Sequence, residues 1–98
     1  MEIEDNGIIF SDDKQKIDVP AVHHYLSTES YWAKDIPLDI VQRSIDNSLC
    51  FGIYKDKQQV GFARWITDKA TFAYLADVYV QSEYRGKGLS KKLMSLML

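Results

Sequence analysis

Two glycines on either side of a lysine, with an arginine before them and a serine after, form the most chemically pointed stretch of this 98-residue chain: Arg85, Gly86, Lys87, Gly88, Leu89 and Ser90. It follows an apolar run at 72–80, rich in β-branched and aromatic residues, that reads as a strand. It precedes Leu89, Leu93, Met94, Leu96 and Met97 at helical spacing. Glycines at such a junction let the backbone approach an anion closely. The first turn of the helix adds unpaired N–H groups and the positive end of its dipole. Taken alone, the charges on Arg85, Lys87, Lys91 and Lys92 describe a solvated helical turn; the glycines between them shift the reading to anion binding. The spacing rules out a P-loop, which needs Gly, four residues, Gly, Lys and Ser or Thr, and also a three-glycine dinucleotide fingerprint.

The pattern that fits is Arg85-x-x-Gly88-x-Ser90, placed after a strand and the short polar turn at 81–84. It resembles the pyrophosphate-binding motif of the GNAT acetyltransferase superfamily, Arg/Gln-x-x-Gly-x-Gly/Ala, with Ser90 standing where the family usually has Gly or Ala. The resemblance implies that acetyl-CoA lies against the strand, its pantetheine along Val78, Tyr79 and Val80. It implies that the diphosphate sits among Arg85, Gly86, Lys87, Gly88, Leu89 and Ser90. The reaction it implies is attack by an amine of a small molecule or protein on the thioester carbonyl, with backbone amides stabilising the oxyanion and a base taking a proton. Noncatalytic CoA binding, or a plain interaction module, is the alternative.

Asp77 is the local candidate for that base, because it interrupts an apolar strand where desolvation favours the protonated carboxyl. Its other reading is a structural hydrogen-bond acceptor. Tyr31 and Trp32 stand in a polar loop that in the family commonly borders the acceptor; they read either as a substrate wall or as anchors of the loop on the core. His23 and His24 point about 100° apart on a helix and cannot clamp one metal, and no spaced His/Cys/Asp cluster supports a metal site. The lone Cys50 lies in an apolar strand and reads as a buried thiol rather than a nucleophile.

These residues need a scaffold, and the chain's periodicity supplies one. A short strand over 7–10 leads to a helix capped by Asp18 and carrying Val19, Val22, Tyr25 and Leu26. A second helix begins at Pro37, with Ile36, Ile40, Val41 and Ile45 as its apolar stripe. Strands over 49–54, 59–67 and 71–80 follow, with polar turns between them short enough only for antiparallel neighbours. The predicted order is β-α-α-β-β-β-α: a mixed α/β (α+β) fold, a mostly antiparallel sheet flanked by helices, on a single domain over 1–98. This is the GNAT order without the family's further carboxy-terminal strands and helix. The strand over 71–80 would then keep an unpaired edge, which predicts self-association.

Composition limits the partners. A net charge of −2 argues against a nucleic-acid surface, and no apolar run approaches the ~20 residues needed to cross a bilayer. The acidic amino terminus carries no signal-peptide pattern, and a single cysteine suits a reducing compartment, so a cytoplasmic location is expected.

Overall fold

The computed structural model describes residues 2–97. Its first element is a hairpin, β1 (Glu2–Asp5) and β2 (Ile8–Ser11), closed by Asn6 and Gly7. Both turn residues have positive φ, 53° and 81°, the geometry that Asn-Gly adopts readily and that matches the twist of a two-residue hairpin. The expectation of one short first strand is thus corrected: a further strand precedes it. With Asp5 paired to Ile8, the acidic segment is held by the ladder although only Ile3 within it is apolar.

A 3₁₀ turn (Lys14–Lys16) leads to α1 (Val19–Thr28), then α2 (Leu38–Asp46), β3 (Leu49–Lys55), β4 (Gln58–Thr67), β5 (Ala73–Val80) and α3 (Leu89–Met97). Asp18 caps α1 by accepting from the Ala21 amide at 3.1 Å, and Pro20 sits in the first turn, where no amide is needed. On α2 the inward stripe is Val41 and Ile45, while Ile36 is partly buried. Ile40, expected on that stripe, faces out and is 41% exposed.

Five strands form one sheet in the order β1-β2-β3-β4-β5, with every described pairing antiparallel. Alternating side chains serve its two faces. Val22, Leu26, Val41, Ile45, Cys50, Phe62 and Tyr79 form the core under α1 and α2; Phe10, Phe51, Ile53, Ala63, Val80 and Leu93 form the core under α3. This three-layer arrangement is the predicted mixed fold. The register breaks twice. Opposite Arg64 and Trp65 stand Asp77 and Leu75, so Ala76 is an extra residue in β5. That bulge sends Leu75 and Asp77 to opposite faces although they are two apart, Leu75 into the α3 core and Asp77 towards α1 and α2.

Burial leaves three weak acids under strain at high pH. Loss of hydration pushes the Cys50 thiol from 9.0 to about 11 and the Tyr54 hydroxyl from 10.0 to about 12, and it raises Tyr79 further. A raised folded-state value favours the protonated form. Its contribution is therefore intact below the unfolded value and disappears as pH climbs through the folded one. Urea stability is expected to stay flat in this respect to pH 9 and to fall between pH 9 and about 11. Cys50→Ser should remove the earliest part of that fall; an unchanged alkaline profile in Cys50→Ser would contradict the assignment.

Candidate functional site

The chain leaves β5 through Gln81, makes a 3₁₀ turn at Ser82–Tyr84 and enters α3 through Gly86 and Gly88, whose φ values are 80° and 75°. The Lys92 amide, bonded to the Gly88 carbonyl at 3.0 Å, opens the helical ladder. Among the described residues, the six amides before it, 86–91, meet no backbone or side-chain acceptor. Val80, Arg85, Gly86, Gly88, Leu89 and Ser90 line a small concavity of about 90 Å³ at this turn. Alternating left-handed glycines and free helix-start amides around a hollow make a nest for an anion. A Cβ built on either glycine would meet nothing within 4 Å, so the positive φ, rather than crowding, is what requires glycine.

Arg85 ties the turn down. Its Nε donates to the Val80 carbonyl at 2.8 Å and its Nη2 to the Tyr25 hydroxyl at 3.1 Å. Tyr25 in turn stacks on Tyr79, with centroids 3.9 Å apart and planes 8° from parallel. A longer cleft of about 320 Å³ runs on from the hollow, lined by Tyr25, Trp32, Val78, Tyr79, Val80, Arg85 and Ser90. It follows β5, which pairs with β4 alone among the described strands. The side chains of Tyr79 and Val80 are buried in the two cores, and Val78 packs beside the second. What β5 offers the cleft is mainly backbone along an open edge.

At the end of the cleft away from the glycines, Asp77 is 5% exposed and fully engaged. Oδ1 accepts from Trp32 Nε1 and Oδ2 from Arg64 Nε, both at 2.7 Å. Arg64 Nη1 also donates to Ser48 Oγ at 3.0 Å. Asp77 is thus desolvated, as its position in an apolar strand suggests, but it is also countered by a guanidinium. Trp32 is anchored and lines the cleft as well, so the two readings of this residue are compatible. Tyr31 is 92% exposed and touches Trp32 edge-on at 5.4 Å. His23 meets the Ile36 carbonyl at 3.1 Å through Nε2, and His24 takes no part in the cleft. No cluster of three metal-ligating side chains occurs among the described residues, and no helix there is long and apolar enough to cross a membrane.

Three participants escaped the sequence reading: Arg64, Ser48 and Tyr25. Arg64 left a signal, being a lone cation in one apolar strand joined by a single turn to another strand holding a lone Asp. Tyr25 left none, since an aromatic on the apolar stripe of a helix reads as core.

Comparison with known proteins gives concordant matches. The model of the acetyltransferase (GNAT) family matches residues 19–98. A protein of Gibberella zeae named "putative acetyltransferase" is 31% identical over 108 aligned positions, covering 91% of this chain and 61% of that protein. A crystal structure from Xanthomonas campestris, described as a "putative acetyltransferase belonging to the GNAT family", superposes with a TM-score of 0.90 at 53% identity, covering 92% of this chain and 63% of the other. A Deinococcus radiodurans structure shares the fold with a TM-score of 0.73 at 20% identity. This chain therefore spans less than two thirds of the length of the Gibberella and Xanthomonas proteins.

The double variant Gly86→Ala, Gly88→Ala is expected to lose about 2–4 kcal/mol in urea unfolding, because each alanine must hold a left-handed φ. Unchanged stability would mean that the turn does not hold these angles in solution.

Proposed function

The chain belongs to the GNAT acetyltransferase family, and from that premise we propose that it binds acetyl-CoA and that its site serves acetyl transfer to an amine of a small molecule or protein. The observation that carries this reading is the run of amides at 86–91, unpartnered among the described residues, with Gly86, Gly88, Leu89 and Ser90 lining a small hollow of about 90 Å³. These amides would take the diphosphate, with Gly86 and Gly88 giving close approach and Ser90 fitting where the motif tolerates only small residues. Arg85 acts here as a brace, since two of its nitrogens are already spent on Val80 and Tyr25. The pantetheine arm would pair with the open edge of β5 at Val78, Tyr79 and Val80, as an added strand does.

Bound acetyl-CoA supplies the activated acyl group as a thioester. The protein's part is to hold that arm along β5 and to direct the acyl end towards Trp32 and Asp77. Lys87, exposed and held over the Tyr84 ring with Nζ 5.4 Å from its centroid, adds positive potential near the hollow. A lone buried thiol is consistent with a reducing, cytoplasmic setting.

Gly88→Glu is expected to weaken acetyl-CoA binding by about tenfold or more in isothermal titration, through bulk and like charge at the amide nest, and Lys91→Ala by less than about threefold. Full affinity in Gly88→Glu would remove the hollow from the site. Self-association through β5 would compete for the same edge. Acetyl-CoA is therefore expected to shift sedimentation towards monomer, and association indifferent to acetyl-CoA would place the contact elsewhere.

A further inference from the structure

The loop between α1 and α2 is tied to its own helices at both stems and to the sheet at its tip. At the stems, Ser30 Oγ donates to the Leu26 carbonyl at 2.6 Å, the Asp35 amide donates to Ser27, and His23 meets Ile36. The tip, Tyr31 and Trp32, reaches β5 through one hydrogen bond, Trp32 Nε1 to Asp77 Oδ1. Trp32 is 44% exposed and lines the cleft, with its ring tilted against Tyr25 at 6.5 Å between centroids, and the carboxylate accepts the hydrogen bond that orients its indole. The carboxylate's own placement depends on Arg64, which also donates to Ser48 just before β3. A buried ion pair with both carboxylate oxygens hydrogen-bonded is held in place, and breaking it on one side leaves a charge without a partner.

We propose that Asp77 and Arg64 are positioning residues forming a latch: together they fix Trp32 as the wall at the acyl end of the cleft and so set the opening through which an acceptor enters. The latch reaches the chemistry through Trp32, and Asp77 with both oxygens occupied is its keeper rather than a free base. The role in transfer rests on the acetyl-CoA reading above; the latch itself is a property of the unliganded protein and can be tested without it.

The chain has two tryptophans, so a Trp65→Phe background leaves Trp32 as the only reporter. In that background Asp77→Ala is expected to raise acrylamide quenching of Trp32 by roughly twofold or more as the tip comes free. Asp77→Asn, which keeps a carbonyl for the indole but turns its amide NH2 towards Arg64, should bring quenching only part of the way back towards the parent value. Unchanged quenching in an Asp77→Ala protein with native circular dichroism would overturn the latch. Should Asp77→Ala fail to fold, Trp32→Phe keeps an aromatic ring but removes the indole N–H together with part of the ring, and cleavage by trypsin at the exposed Lys34 should then accelerate several-fold; an unchanged cleavage rate would overturn it equally. For the link to function, Trp32→Ala is expected to weaken acetyl-CoA severalfold and to leave ADP, a probe of the glycine turn alone, unchanged. Equal loss of both ligands would overturn the placement of Trp32 at the acyl end. Absence of binding by either ligand to the parent protein would refute the acetyl-CoA reading and leave the quenching result to decide the latch.

Discussion

Backbone amides at the start of a helix have no partners inside it, and in this chain that constraint falls on the turn proposed to hold the diphosphate. The passage from β5 to α3 could have satisfied these donors with a side-chain cap, as Asp18 does for α1. It carries instead two left-handed glycines and, among the described residues, no capping carboxylate or hydroxyl; the amides at 86–91 have no partner there, and Gly86, Gly88, Leu89 and Ser90 line a hollow. Unpaired donors of this kind are costly to bury and favourable to leave where an anion can reach them. The rest of the fold serves to hold that turn still: Arg85 fastens it to the end of β5 and to Tyr25, and Leu93 seats α3 on the sheet.

The same economy governs β5. Both faces of the strand are absorbed by core, Tyr79 below α1 and Val80 below α3, so side chains contribute little to recognition along the cleft. The open edge is what remains. Plain alternation puts Asp77 on the same face as Tyr79, where Arg64 and Trp32 meet it, and the extra residue Ala76 lies just beyond it. The buried charge that ties the loop is therefore in register with the cleft-lining stretch of the strand, and the bulge moves only the residues before it.

The sequence reading found the glycine turn, both faces of β5 and the order of helices, because each leaves a local mark: positive-φ residues, alternation, and the Asp18 cap. It missed β1. The Asn6-Gly7 pair is a strong hairpin signal, but Glu2, Glu4 and Asp5 carry no apolar alternation, and the strand exists through its ladder to β2 rather than through burial. Ile40 was misplaced because a three-turn helix at the surface offers more apolar residues than its inward face accepts. The tie between Trp32 and Asp77 joins residues 45 positions apart, which no local pattern encodes.

The central claim is that the amides of the glycine turn and the edge of β5 form one continuous binding surface for a diphosphate and its extended arm. Backbone amide chemical shifts of the labelled protein, followed by nuclear magnetic resonance during titration with acetyl-CoA, test it residue by residue. The largest changes are expected at 86–91, with a second contiguous set at Val78, Tyr79 and Val80 and the indole N–H of Trp32. Changes confined to the hairpin of β1 and β2, or a titration that leaves 86–91 unmoved, would contradict the account.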